Sequence, residues 1–170
     1  MEEKKVKITK KTCHCADCNA VCKNDELFII DNRQVCGVCL FGDVPPIMIY
    51  PIGIVNNGLE RENKQFRKER IDSISQIELL PSQKKFMSGL EEEPEITIVY
   101  YLHKSYSVKT LFNRGLDGKR VGVFASRTPD RLSKIAIQDV YLLDIKDTTL
   151  IVKGLDAING TPVLDIKLKI

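Results

Sequence analysis

Hydrophobic and polar positions alternate along much of this chain, a pattern typical of strands with one buried face. Ile74–Leu79 alternates in this way, whereas Ile96–Leu102 is β-branched or aromatic at nearly every position, which predicts a strand buried on both faces. Residues 134–143 and 148–152 predict a β-hairpin that turns at 144–147. Further strands are predicted at 47–58, 107–111, 121–125 and within 154–170.

One clear helix is predicted after Pro81, because Phe86 and Leu90 are four residues apart and Pro94 ends the segment. The remaining connections are short. This pattern predicts a mostly β fold, an antiparallel barrel or sandwich with one or two short helices.

The chain divides into a small N-terminal element and a larger domain. Residues 1–12 are mostly charged and are predicted to be a flexible tail. A small cysteine-rich element covers 13–42, and the proline pair at 45–46 marks 43–49 as a linker, because proline cannot join a sheet ladder. The predicted barrel domain covers 50–170.

All six cysteines lie between residues 13 and 39, and four of them form two C-x-x-C pairs. A predicted strand, turn and strand between the pairs would bring them together around one ion. Zinc prefers four tetrahedral sulfur ligands at this kind of spacing, so a structural zinc in a zinc-ribbon-like element is predicted. The predicted metal ligands are Cys15, Cys18, Cys36 and Cys39.

Alternatives to zinc remain at this point. Disulfides are disfavoured in a reducing compartment. A redox C-x-x-C site would need one pair next to a βαβ unit, whereas this chain has two pairs. A [4Fe–4S] cluster also uses four cysteines, but usually at a different spacing. Cys13, His14 and Cys22 could replace a ligand or take no part.

Bulk composition narrows the function only a little. The formal net charge is +3, which is too small to predict nucleic-acid binding by itself. No apolar run is long enough for a membrane-spanning helix, and the charged N-terminus lacks the apolar core of a signal peptide. A cytoplasmic location without membrane contact, and therefore reduced cysteines, is expected.

Common catalytic motifs are missing from the sequence. It contains no G-x-G-x-x-G, no P-loop, no H-E-x-x-H and no G-x-S-x-G. His103 follows a predicted strand, where a histidine is more often structural than catalytic.

From about Tyr50 to the end, the chain resembles the TsaA/TrmO-like (YaeB-like) family, which includes S-adenosylmethionine-dependent tRNA methyltransferases. The resemblance rests on P-I-G-I-V at 51–55, I-E-L-L-P at 77–81, G-L-E at 89–91, G-V-F-A-S-R at 122–127 and D-A-I-N-G-T-P-V-L-D-I-K at 156–167. The last of these motifs is highly specific. The N-terminal cysteine element is an addition to that family pattern.

The resemblance implies an unusual β-barrel methyltransferase that works as a homodimer and holds S-adenosylmethionine near the subunit interface. It implies tRNA as the partner, with the exocyclic amine of a threonylcarbamoyl-modified adenosine in the anticodon loop as methyl acceptor. The residues that match family positions, and are therefore predicted to bind the cofactor, are Arg127, Arg131, Asp156, Gly160, Thr161, Pro162, Asp165 and Lys167.

Several segments depart from the family pattern: its D-G-T-P is N-G-T-P at 159–162, its D-I-K-P-Y end is D-I-K-L-K at 165–169, and the P-R-Q segment of its early loop is absent. Where the family continues R-P-N-P-I-G, this chain has R-L-S-K-I-A at 131–136. The motif residues also permit a purely structural interpretation, in which 160–162 is a tight turn and Asp165 and Lys167 form the outward face of the last strand. The alternative function is a non-catalytic zinc protein that binds a cofactor or nucleotide and acts as an RNA- or protein-interaction module.

Overall fold

The computed structural model describes residues 12–60 and 72–170, and its internal contacts divide the chain into two compact units. The first unit joins Met1–Ile47 to Tyr106–Leu132, and the second joins Met48–Ser105 to Ser133–Ile170. Residues 106–132, which lie inside the predicted barrel domain, are thus grouped with the cysteine-rich part of the chain. Apart from Thr12, the predicted tail lies outside the described residues.

The described residues form twelve strands and one α-helix, α1 (Gly37–Phe41). The strands are β1 (Thr12–His14), β2 (Val21–Lys23), β3 (Leu27–Ile30), β4 (Arg33–Cys36), β5 (Gly53–Asn56), β6 (Ile74–Leu79), β7 (Glu95–Tyr101), β8 (Leu111–Asn113), β9 (Arg120–Gly122), β10 (Ile135–Lys146), β11 (Thr149–Lys153) and β12 (Pro162–Leu168). Single 3₁₀ turns cover Asn24–Glu26, Leu90–Glu92 and Val123–Ala125, and a longer 3₁₀ helix covers Pro81–Phe86.

The second unit contains a closed six-stranded barrel in which all neighbouring strands are antiparallel. Going round it, the order is β10, β11, β6, β5, β12 and β7, and β7 pairs with β10 to close it. Closure leaves no strand edge unpaired. The predicted mostly β fold and antiparallel barrel are confirmed.

The barrel core follows directly from the alternation in the sequence. β6 has the predicted bounds, and its Ser75, Ile77 and Leu79 are buried while the residues between them are exposed. β7 alternates too, since Ile96 and Ile98 are fully buried. The prediction that this strand is buried on both faces is wrong, because its other face is only half-buried.

Eight apolar side chains of the second unit are completely enclosed. Each contributes about 1.5–3 kcal/mol by leaving water, which makes them the main favourable term for this unit. They are Val55, Ile77, Ile96, Ile98, Leu150, Val152, Leu155 and Val163.

Gly53 explains part of the P-I-G-I-V motif. A Cβ at this position would lie 2.5 Å from the carbonyl oxygen of Glu78 on the neighbouring strand β6, so β5 can approach β6 only with glycine there. The glycine of this motif is therefore needed where β5 pairs with β6.

Two predicted elements differ from the structure. The expected helix after Pro81 is a 3₁₀ helix, and it ends before Gly89, which has a left-handed φ of +83°. The predicted hairpin is present, but β10 extends through the expected turn to Lys146, and a β-bulge shifts its register between Leu142 and Asp144.

The first unit is built from short hairpins. β3 and β4 pair through a two-residue turn, and Val108 forms a parallel bridge with Ile30 at the end of β3. The strand predicted at 107–111 is limited to this bridge, and β8 begins only at Leu111. The strand predicted at 121–125 ends at Gly122, where a 3₁₀ turn replaces it.

Among residues 12–60 and 72–170, no helix has the length and apolar character needed to span a membrane.

Candidate functional site

The four cysteines of the two C-x-x-C pairs lie together in the first unit. Cys15 and Cys18 sit in the loop after β1, Cys36 ends β4, and Cys39 lies in α1. Their Sγ atoms all lie within 4.8 Å of one another. The β3–β4 hairpin brings the second pair to the first, as the sequence predicts.

The spacing of these sulfurs suits a tetrahedral ion. The Sγ atoms of Cys15 and Cys39 are 3.8 Å apart, as are those of Cys18 and Cys36. A tetrahedron with sulfurs about 2.3 Å from a central zinc has edges of about 3.8 Å. The donor set therefore fits zinc both in chemistry and in size.

The backbone around Cys15 favours the thiolate that a metal requires. Its Sγ accepts N–H groups from Cys36 at 3.3 Å and Asp17 at 3.4 Å. Backbone hydrogen bonds from Cys18, Cys36 and Asp17 lower the pKa of Cys15 to about 6. Hydrogen bonds with the Cys36 and Cys18 side chains instead raise the pKa of Cys39.

The other two cysteines are outside this group. Cys13 and Cys22 are directly opposite each other on β1 and β2. The Cys13 thiol points to the Asn24 side chain and the Cys22 thiol to the carbonyl oxygen of Ala20. His14 donates from Nδ1 to the carbonyl oxygen of Asn19.

The G-V-F-A-S-R motif lies in the first unit, where it begins at the last residue of β9 and continues through the 3₁₀ turn to Arg127. The Ser126 hydroxyl donates to the carbonyl oxygen of Val123. Arg131 donates from Nε to the carbonyl oxygen of Thr128 at 3.0 Å and from Nη2 to that of Ser126 at 2.6 Å, so its guanidinium holds this loop closed.

Arg127, in the same loop, differs from Arg131. It is exposed, and within the described part of the chain it makes no hydrogen bond or ion pair. Its planar fork of donors is therefore available for a carboxylate or phosphate.

The remaining predicted residues lie in the second unit, on the loop 154–161 and on β12. This loop is fixed by two side-chain amides, one from β10 and one from the bend that follows β5. Gln138 donates to the carbonyl oxygen of Gly154 and accepts the N–H of Asp156 at 2.8 Å. Asn57 donates to Ser75 Oγ and to the carbonyl oxygen of Ala157, both at 2.9 Å.

The G-T-P segment ends this loop as a closed turn. Gly160 has a left-handed φ of +76°, and its N–H donates to the carbonyl oxygen of Val55. The N–H of Thr161 donates to Ile158, and Pro162 has no N–H. These amides therefore shape the loop, while the exposed Asp156 provides a carboxylate beside it.

Thr161 is only 2% exposed, and its Oγ1 lies 3.4 Å from Nδ1 of His103. Burial, followed by the charge of Lys104, lowers the pKa of His103, so its ring is neutral around pH 7. The neutral ring and the buried hydroxyl connect the end of β7 to the start of β12.

Asp165 and Lys167 lie on β12 and form an ion pair of 2.6 Å between half-exposed side chains. Asp165 also accepts the backbone N–H of Ile166. The register of β12 against β7 shifts between Val163 and Asp165, and Asp165 is only partly buried although the residue two positions before it, Val163, is fully buried.

The structure thus brings the predicted cofactor residues together in two groups, each described within its own unit. Arg127 and Arg131 share one loop, while the other six lie between 156 and 167. The sequence reasoning missed Asn57 and Gln138, which hold the second group. Asn57 falls within the strand predicted at 47–58, and nothing in that local pattern indicates that its side chain fixes a distant loop.

Comparison with known proteins gives this geometry a context. The sequence profile of the tRNA-methyltransferase O N-terminal domain matches residues 63–169. A probable S-adenosyl-L-methionine-binding protein of Methanothermobacter thermautotrophicus is 35% identical over 123 residues, covering 71% of this chain and 88% of that protein.

Two longer proteins are also similar. The human tRNA (adenine(37)-N6)-methyltransferase is 30% identical over 131 residues, covering 71% of this chain and 30% of that protein. The crystal structure of TrmO from Pseudomonas aeruginosa has a TM-score of 0.60 and 25% identity, covering 74% of this chain and 57% of that chain. The chain therefore spans most of the archaeal relative but just over half of the solved structure.

Proposed function

This chain belongs to the family of the tRNA-methyltransferase O N-terminal domain, and on that basis we propose that it binds S-adenosylmethionine and transfers a methyl group to tRNA. The observation that carries the proposal is the profile match over 63–169, which includes every predicted cofactor-binding residue. The names of the archaeal and human relatives support the cofactor and the substrate class. The methyl acceptor implied by the resemblance is an adenine amine.

The residues present suit this cofactor in their chemistry. Arg127 has a guanidinium with no described partner, which suits the cofactor's carboxylate. The carboxylates of Asp156 and Asp165 can accept hydrogen bonds from an amino or hydroxyl group. Gly160, Thr161 and Pro162 contribute the shape of a rigid loop, since the N–H groups of Gly160 and Thr161 are already used and Pro162 has none.

S-adenosylmethionine supplies an electrophilic methyl group when bound. The contribution of the chain is then orientation, because a displacement at carbon requires the acceptor, the methyl and the leaving group in line. The hydrogen bonds from Gln138 and Asn57 keep the 154–161 loop in one conformation for this purpose. Arg131 does the same for the loop that carries Arg127.

We also propose a structural zinc bound by Cys15, Cys18, Cys36 and Cys39. The 3.8 Å sulfur separations support this, and so does the small apolar core of the element, whose buried members are Cys15, Val35 and Cys36. Such a core cannot hold the element folded without a metal. Metal analysis of the purified chain should give about one zinc per chain, and less than half of that with reduced cysteines would contradict the proposal.

A homodimer in the cytoplasm completes the proposal, as the resemblance implies. β10 supports it with three exposed apolar side chains, Ile137, Tyr141 and Leu143, at 55%, 56% and 49% exposure. Light scattering should give twice the chain mass for the wild type and a lower mass for Tyr141→Lys, because a buried charge opposes association. A monomeric wild type would contradict the dimer.

Calorimetric titration with S-adenosylmethionine tests the main proposal. We expect saturable binding, and methyl transfer from labelled cofactor to bulk tRNA, with the product nucleoside identified by mass spectrometry. Arg127→Gln should weaken binding at least tenfold, since a hydrogen bond to a charged group contributes about 1.5–3 kcal/mol. Arg120→Gln is the matched control, because it removes the same charge from the same unit and should bind normally.

The outcomes separate two functions. No binding of millimolar cofactor would refute the methyltransferase proposal. Binding without transfer to tRNA would favour a non-catalytic cofactor-binding module. The altered segment 131–136 is the specific reason to keep that candidate, although its Ile135 and Ala136 pair regularly with β7.

A further inference from the structure

Asp31 lies at the tip of the β3–β4 hairpin, in the turn that connects the two cysteine pairs. Asp31 and Asn32 have φ values of +46° and +64°, and they join the paired residues Ile30 and Arg33. Two left-handed residues in a two-residue hairpin loop form a type I′ turn, which favours aspartate and asparagine. The turn type thus accounts for the local conformation, but not for the contacts of the carboxylate.

The hairpin tip is hydrogen-bonded to the segment 108–110. The N–H of Asp31 donates to the carbonyl oxygen of Val108, and the N–H of Val108 donates to that of Ile29, both at 2.9 Å. The Asp31 carboxylate accepts the N–H of Thr110 at 3.2 and 3.3 Å and also its hydroxyl. These bonds from Thr110 lower the pKa of Asp31, so the carboxylate is charged at neutral pH.

The segment 108–110 in turn holds the region that carries the G-V-F-A-S-R motif. The carbonyl oxygen of Thr110 accepts the N–H of Val123, at the start of the turn that leads to Arg127. Lys109 donates its N–H to the carbonyl oxygen of Asp130 and forms an ion pair of 2.9 Å with its carboxylate. A continuous set of hydrogen bonds therefore leads from the hairpin tip to both sides of the motif loop.

The other end of the hairpin is the cysteine group. Cys36 ends β4, pairs with Leu27 on β3, and donates its N–H to the sulfur of Cys15. Folding of this element is expected to depend on its metal. Order at the hairpin tip, and at 108–110, should then depend on the metal too.

The net charges of the two segments favour an ordering role for the cysteine element over direct contact with RNA. Residues 13–42 contain four acidic and two basic residues, a net charge of −2, and zinc with four thiolates adds about −2 more. Residues 106–132 contain six basic and two acidic residues, a net charge of +4. An acidic element is repelled by phosphates but attracts a basic segment.

We propose that Asp31 is a positioning residue, through which the metal-bound cysteine element orders the segment 106–132 and so prepares Arg127 to bind its ligand. This inference rests on the proposed function for the identity of that ligand. The ordering itself does not depend on it.

Hydrogen–deuterium exchange on the full-length protein tests the ordering without any cofactor. We expect the amides of Val108, Thr110 and Val123 to exchange about tenfold faster in Asp31→Asn, which keeps the turn conformation but loses the charge. Removing zinc with a chelator should produce the same change, while Ile98 and Leu150 in the barrel keep their protection. Asp25→Asn removes a charge from the same element and serves as control.

Two further measurements exclude trivial explanations. Zinc content should be unchanged in Asp31→Asn, and Thr110→Val should accelerate exchange as much as Asp31→Asn, with no further effect in the double variant. Affinity for S-adenosylmethionine should fall about three- to tenfold in each single variant.

Unchanged exchange in 106–132 after zinc removal, or additive effects of Asp31→Asn and Thr110→Val, would overturn the inference. Faster exchange with unchanged cofactor affinity would overturn the link to Arg127. If the wild type does not bind S-adenosylmethionine at all, the proposed function fails, while the exchange data still decide whether Asp31 orders this segment.

Discussion

Replacing Asn57 by alanine should detach the 154–161 loop from the barrel. The Asn57 side chain makes three hydrogen bonds, two as donor to Ser75 and Ala157 at 2.9 Å and one as acceptor from the N–H of Leu59 at 3.0 Å. At about 1 kcal/mol each they contribute about 3 kcal/mol. The loss is greater because Ser75, only 1% exposed, would be left with an unsatisfied hydroxyl.

Asn56 is the matched control for this variant. It is the same residue type one position earlier, but it is exposed and makes one side-chain hydrogen bond, to Glu78 at 3.0 Å. Asn56→Ala should therefore cost only about 0.5–1 kcal/mol. The expected difference between the two variants is at least about 2 kcal/mol in the free energy of unfolding.

Urea unfolding followed by circular dichroism measures this difference. With a urea dependence of about 2 kcal/mol per molar, the midpoint of Asn57→Ala should lie about 1 M below that of Asn56→Ala. S-adenosylmethionine affinity should also fall in Asn57→Ala alone, because the loop that carries Asp156 and Gly160 loses its support. Equal midpoints and equal affinities for the two variants would refute the idea that Asn57 holds the loop.

Three other predictions concern the metal, the core and pH. Cys36→Ser should reduce zinc to well below half an ion per chain, whereas Cys13→Ser should keep about one. Leu150→Ala should lower the free energy of unfolding by about 2–5 kcal/mol in urea titrations, and a loss below about 1 kcal/mol would contradict its complete burial. Burial and then the charge of Lys104 lower the pKa of His103 in the folded state. The neutral ring therefore stabilises the fold at pH values above the unfolded pKa of about 6.5. This contribution is lost as the pH decreases from about 6.5 through the lower pKa of the folded state. The urea midpoint of the wild type should therefore decrease when the pH is lowered from about 7.5 to about 5.5, and the decrease should be smaller in His103→Gln.

The barrel strands were predictable where a local pattern determines them. β6 has the predicted bounds, and the G-T-P segment forms the turn that its glycine indicates. The four-cysteine group was predictable as well, because the C-x-x-C spacing fixes which sulfurs can meet. In these cases the signal lies within a few residues of the structure that it produces.

The long-range contacts left no such signal. The bridge between Ile30 and Val108, and the bonds from Asp31 to Thr110, join positions far apart in the chain. No local periodicity predicts which turn a distant segment will meet. The helix predicted after Pro81 is wrong in type: the segment forms a 3₁₀ helix, and Gly89 in a left-handed conformation separates it from the next turn.

The place of β5 in the barrel limits how this domain can be shortened. The family profile begins at residue 63, but β5, at Gly53–Asn56, pairs with both β6 and β12 and lies before that start. A fragment that begins at residue 63 would therefore lack β5 and would leave one edge of β6 and one edge of β12 unpaired. Such unpaired strands invite pairing with other molecules, so the fragment should aggregate although it contains every family motif after residue 63.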